Sequence, residues 1–144
     1  MISNPVKIVM DTDTIVAAMR SPRGGSAALL LAADDGRVTL LATVPLFIEY
    51  EAVCHRAEHV LAAGLDREGV ETFLDRLADL VQPVEPWFLW RPQLRDPGDE
   101  LVFEAAVNGG AAAIATFNRR DYLPVADNFG IEILLPGEVL RRLR

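Results

Sequence analysis

Val6-Lys7-Ile8-Val9-Met10-Asp11-Thr12-Asp13 is a short apolar run that stops at two carboxylates. A run of that length with polar flanks reads as a buried strand. Residues 38–42, 112–116 and 131–135 carry the same apolar pattern and read as three more buried strands. Helical patterns fill the intervals. Residues 12–19 begin a helix, Gly24-Gly25 punctuate, and residues 26–35 form a helix stopped by Gly36. Thr43 is an N-cap with Pro45 in the first turn, where a missing N–H does no harm. That helix is expected to run over residues 44–63 and to stop at Gly64. Asp66 caps the next one, whose apolar positions Val70, Phe73, Leu74, Leu77, Leu80 and Val81 keep helical spacing. Pro83, Pro86, Pro92 and Pro97 crowd a region that reads as a strand edge and then a loop. Asp96-Pro97 opens a helix through Val107, ended by Gly109-Gly110, and residues 136–143 close the chain as a helix. Strands alternating with helices predict an α/β fold, a three-layer α/β/α sandwich around a central parallel sheet.

The 144 residues, 51% of them hydrophobic, suit one domain with a core large enough to need no disulfide or structural metal. One cysteine, Cys54, cannot form an internal bridge, and a cytoplasmic protein is expected. The longest unbroken apolar run, residues 27–33, is too short to cross a membrane. The apolar stretch after Lys7 is cut by Asp11, which is not how a signal peptide reads. A net charge of −7 argues against non-specific adhesion to nucleic acid. It is compatible with a phosphodiester substrate, because a carboxylate cluster holding a divalent cation attracts phosphate locally.

In parallel α/β sheets ligands bind at the carboxyl ends of the strands. Asp11 and Asp13 follow the first strand; Asn118 and Asp121 follow the 112–116 strand. The two groups therefore belong in one crevice although they are far apart in sequence. Glu49 has Leu46, Ala52 and Val53 as helical neighbours and shares the apolar face of its helix, whereas Glu51 lies with His55 and Glu58 on a polar one. A carboxylate on a core face is costly unless it is paired, hydrogen-bonded or metal-bound. Asp99 lies on the stripe of Val102, Phe103 and Ala106, and it is also the third residue of a helix capped by Asp96, where an acid is favourable in its own right. Glu100 flanks the stripe and could supply a further oxygen. Like charges about 4 Å apart cost about 4 kcal/mol at an effective dielectric near 20, so such a group calls for a hard divalent cation. All-oxygen ligation suits Mg²⁺ or Mn²⁺ rather than zinc.

Four segments, Val9-Met10-Asp11-Thr12-Asp13-Thr14, Glu49-Tyr50-Glu51-Ala52-Val53, Arg95-Asp96-Pro97-Gly98-Asp99-Glu100 and Ala115-Thr116-Phe117-Asn118-Arg119-Arg120-Asp121-Tyr122, resemble in order and spacing the PIN domains, metal-dependent ribonucleases. The group they most resemble is the toxins of toxin–antitoxin pairs related to the VapC type. The resemblance implies a PIN-like fold in which Asp11 and Glu49 are metal ligands, Asp99 or Glu100 is a third, and Asn118 or Asp121 completes the set. Asp11, Glu49, Asp99 and Asp121 are then the catalytic acids, with Thr116 contacting their network. The family usually has Asn where this chain has Asp13, and some members have Asp where it has Asn118. The resemblance further implies hydrolysis of RNA by activated water to 3′-hydroxyl and 5′-phosphate ends, a cognate antitoxin, and a homodimer.

Other readings compete residue by residue. Asp11 and Asp13 also resemble the nucleophile motif of the haloacid-dehalogenase phosphatases, but Ile15 fits it poorly and the only lysine, Lys7, lies upstream. A PIN-like module that binds RNA or a partner without cutting would be expected to have lost an acid. His55 and His59 at helical spacing beside Glu58 could bind zinc or form a solvated face. Arg119 and Arg120 could grip an RNA phosphate or solvate a loop, and Arg20, Arg23, Arg91 and Arg95 could extend a phosphate track. Trp87, Phe88 and Trp90 could pack, form a dimer contact or stack on a base.

Overall fold

A computed structural model of the chain describes residues 5–86 and 94–143. The first strand, β1 (Val6–Met10), buries Ile8, Val9 and Met10 on both faces, as a continuous apolar run requires in the middle of a parallel sheet. It pairs on one side with β2 (Val38–Ala42), in the register Ile8 to Leu40. On the other side it pairs with β4 (Ala113–Ala115), in the register Met10 to Ala115. β3 (Val81–Pro83) and β5 (Glu132–Leu134) complete a parallel sheet of order β3-β2-β1-β4-β5. Helices flank it: α1 (Thr12–Arg20), α2 (Gly25–Asp34), α3 (Val44–Cys54), α4 (Ala57–Ala63), α5 (Arg67–Leu80), α6 (Pro97–Gly109), α7 (Val125–Asn128) and α8 (Pro136–Arg142). This is the expected α/β/α sandwich with a central parallel sheet.

The order reverses between β1 and β4. Such a switch point opens a crevice at the carboxyl ends of the two strands. α6 lies against β1, β2 and β4, and Gly98 and Asp99 of its first turn stand with Asp11 at that end of the sheet. The core between α6 and the sheet includes Phe103, which meets Phe129 edge to face at 5.1 Å. Among the described residues no helix is long and apolar enough to cross a membrane.

The caps follow the sequence. Thr43 accepts the Leu46 N–H, Asp66 that of Gly69, and Asp96 those of Gly98 and Asp99. Two expectations are corrected. The helix over residues 44–63 is two helices, α3 and α4, divided at His55 and Arg56. The last turn of α3 tightens, with Arg56 N–H bonded to Val53 O, and Arg56 turns extended. The bend lets α4 pack on α1 while α3 packs on α1 and α6; tertiary contact overrides an unbroken helical propensity there. The second correction is Val81. It continues the apolar spacing of α5 but begins β3, where it pairs with Leu40 of β2, and the next residue, Gln82, is steered to extended backbone by Pro83. Pro83 is tolerated because β3 is an edge strand. Trp87, Phe88, Trp90, Arg91 and Pro92 lie outside the described residues.

Candidate active site

The floor of the crevice is Asp11. Its N–H donates to Ala115 O at 2.8 Å, which ties the end of β1 to β4 before the chain enters α1. Asp11 is the N-cap of α1, yet its side chain makes none of the usual capping bonds. The carboxylate turns instead into the crevice, where Thr116 Oγ1 donates to Oδ2 at 2.7 Å. Thr116 is fully buried and accepts the Asn118 N–H at 2.9 Å, so one hydroxyl relays the start of the β4 loop to Asp11. Asp11 itself is only 5% exposed. Burial raises its pKa, while the bonds from Thr116, Tyr122 and the Thr12 N–H oppose the rise.

Asp13, on the first turn of α1, points inward. Its Oδ2 accepts the Phe117 N–H at 3.1 Å and the Asn118 amide at 3.0 Å. Its Oδ1 is buried and has no hydrogen-bond partner among the described residues. Burial, and then the charge of Asp11, push its pKa up to about 7.

α6 brings the opposite wall. Asp99, in its first turn, faces the crevice and accepts the Tyr122 hydroxyl at 3.2 Å. Burial, followed by the charges of Asp11, Asp96 and Asp121, raises its pKa to about 6. Glu100 faces elsewhere: the Leu94 N–H donates to its carboxylate, and it does not line the crevice. Glu49 reaches the same wall from α3. A Cβ on Gly98 would stand 3.7 Å from Glu49 Oε1 and 3.0 Å from Asp96 Oδ1, so the bare backbone of Gly98 makes room beside Glu49. The positive end of the α6 dipole is favourable for carboxylates there. Asp121 comes from a 3₁₀ turn (Arg119–Asp121) after β4.

Asp11, Asp13, Glu49, Asp99, Asn118 and Asp121 thus line one crevice of about 730 Å³. Arg20, Arg56 and His59 line it too. The rest of the expected set falls outside. Arg119 and Arg120 line a neighbouring hollow, with Arg119 ion-paired to Glu138 of α8. Arg23 and Arg95 are not among the lining residues. The bend at residues 55–56 separates the histidine pair: His59 faces the crevice and His55 a different cleft, so they do not form a shared ligand face.

Tyr122 and Arg56 are site residues that sequence reasoning missed. Tyr122 is fully buried, and its one hydroxyl hydrogen is donated to Asp99 Oδ1 at 3.2 Å with the Asp11 carboxylate also beside it. A buried tyrosine needs a partner for its hydroxyl, but nothing in the sequence says which.

The donors fit a hard divalent cation. All are oxygens, the charge of Asp11 raises the pKa of Asp13 and Asp99, and Asp13 Oδ1 is buried with no hydrogen-bond partner among the described residues. Among the described residues no three acidic, histidine or cysteine side chains already grip a single point.

Asp13 and Asp99 titrate at about 7 and about 6 when folded, above the ordinary 3.8. Between those limits the folded protein binds more protons than the unfolded chain, so metal-free stability falls as pH rises through that window. Melting in EDTA is therefore expected at lower temperature at about pH 7.5 than at about pH 5. Mn²⁺ should raise the melting temperature most at the upper end. An EDTA melt that climbs across the window contradicts the strained cluster.

The family model described as PIN domain matches residues 7–120 of the chain. Asp11, Asp13, Glu49, Asp99 and Asn118 lie inside the match, and Asp121 and Tyr122 just beyond it. No curated protein matches the chain.

Proposed function

The chain belongs to the PIN domain family, whose members are generally nucleases, and from that premise we propose that it is a divalent-metal-dependent endoribonuclease. One observation carries the reading: carboxylates from four separate elements, Asp11, Glu49, Asp99 and Asp121, line one crevice at the sheet's switch point.

In this reading those four side chains, with the Asn118 amide oxygen, hold Mg²⁺ or Mn²⁺. A bound cation of this kind polarises the phosphodiester and lowers the pKa of water. The protein's own part is positioning. Thr116 aims Asp11 by donating to Oδ2, and Tyr122 keeps Asp99 turned inward by donating to Oδ1. Asn118, tied to Asp13 through its Nδ2, leaves its amide oxygen available to the crevice. Arg20 and Arg56 offer cations to substrate phosphates on the far wall. Glu100, bonded to Leu94 N–H, is left out of the proposed ligand set in favour of Asp99.

The finer assignment rests on the resemblance of the four segments. We read the protein as the VapC-like toxin of a type II toxin–antitoxin pair, cytoplasmic and homodimeric, with an antitoxin segment that occupies the crevice. The phosphatase reading gains nothing here: Lys7 sits at the start of β1, and the crevice opens beyond its other end.

The test is incubation of the protein with single-stranded RNA in Mn²⁺ or Mg²⁺ and in EDTA, followed by end analysis. Cleavage that needs the cation and leaves 5′-phosphate ends is expected. Cleavage unaffected by EDTA, or intact RNA in both cations, contradicts the proposal.

A further inference from the structure

We propose that Phe117 is a stacking platform for a nucleobase, seating the nucleotide next to the cleaved phosphodiester of a single-stranded RNA. The inference rests on the nuclease reading and names how that site takes its substrate. Phe117 lies at the lip where two cavities meet. With Asn118 and Asp121 it lines both the carboxylate crevice and a neighbouring hollow of about 470 Å³, whose other residues are Arg119, Arg120 and Leu135. In this proposal a strand whose phosphate enters the crevice continues into the hollow past Phe117, one of the three residues that the two cavities share.

The ring is 50% exposed, directly after Thr116, which is fully buried. Among the described residues it is the exposed aromatic side chain; the other exposed large apolar residues are aliphatic. Leaving a phenyl ring in water forgoes the gain of burying it, and this one stands beside charged residues rather than over the core. Its backbone is pinned on both sides. Phe117 N–H donates to Asp13 Oδ2 at 3.1 Å, and Asn118 N–H to Thr116 Oγ1 at 2.9 Å. The ring is therefore presented from a fixed backbone, which lowers the entropy lost on stacking.

The charge pattern agrees. The chain carries −7 overall, and the crevice floor is acidic. The hollow beyond Phe117 carries Arg119 and Arg120 as well as Asp121, with Arg119 ion-paired to Glu138. A base on an aromatic face beside guanidinium groups that meet its phosphate is how single strands are held without reading their sequence. A paired duplex does not present a free base face, so the seat selects single-stranded RNA.

The experiment compares wild type with Phe117→Tyr, Phe117→Leu and Phe117→Ala. Binding of a short fluorescent single-stranded oligoribonucleotide is measured in EDTA, and its cleavage in Mn²⁺. Phe117→Tyr should bind as wild type does. Phe117→Ala and Phe117→Leu should each weaken binding by roughly tenfold, with KM raised and kcat kept. Loss in the leucine variant, which keeps apolar bulk without a π face, separates stacking from mere hydrophobic contact. Wild-type binding in the leucine variant or in the alanine variant overturns the proposal, as does a wild type that does not bind the oligoribonucleotide. Phe117-dependent binding without cleavage supports the seat and removes the nuclease reading instead.

Discussion

Asp11→Asn is expected to lower RNA hydrolysis by roughly three orders of magnitude or more while the protein still folds. Asp11 is where β1, β4 and α1 meet: its backbone bonds to Ala115 and Thr14, and its carboxylate to Thr116. Asparagine has the same shape. Its amide oxygen can still accept from Thr116, and its NH₂ can donate to the Tyr122 oxygen, so the local bonds survive. What disappears is the charge. The charge of Asp11 helps to raise the pKa of both Asp13 and Asp99, so its removal relieves the metal-free cluster. The variant should therefore melt no lower than wild type in EDTA at about pH 7.5. Circular dichroism melts and a cleavage time course check the two halves. Wild-type cleavage by Asp11→Asn would remove Asp11 from the chemistry.

The second large effect concerns Tyr122, where one side chain serves both core and site. Tyr122→Ala removes a fully buried ring. By analogy with other large aromatic truncations it should cost about 3–5 kcal/mol. Against a typical total of about 5–15 kcal/mol, that leaves a marginal protein. Tyr122→Phe keeps the ring and deletes the hydroxyl that donates to Asp99 with the Asp11 carboxylate beside it. Its stability should change by about 1 kcal/mol or less. Its cleavage should fall by about 10- to 100-fold, as when a group that orients a metal ligand is lost. Urea melts and kcat/KM on the pair separate the roles. Equal activity in Tyr122→Phe and wild type would make Tyr122 a core residue only.

Much of this arrangement is legible in the amino-acid sequence because parallel strands are buried on both faces. Ile8-Val9-Met10 and Leu40-Leu41-Ala42 announce themselves as unbroken apolar runs. Capping is local, so Thr43, Asp66 and Asp96 could be placed from the residues that follow them. Once the strands are known, the switch-point rule carries Asp11 and Asn118 into one crevice.

What was not legible is set by contacts between distant segments. No glycine or proline marks the break at His55-Arg56; packing of α4 on α1 makes it. Asp99 and Glu100 are adjacent acids on one helix turn, and which one faces the crevice depends on the Leu94 N–H and the Tyr122 hydroxyl. The pairing of Arg119 with Glu138 joins the 3₁₀ turn to α8, and no local pattern foretells it.

The acidic crevice is proposed as a cation site. Calorimetric titration of Mn²⁺ into the metal-free protein at about pH 7.5, beside Asp11→Asn under the same conditions, tests it most directly. Saturable binding by wild type that is lost in the variant is the expected result. No binding by wild type, or the same binding in both proteins, would contradict it.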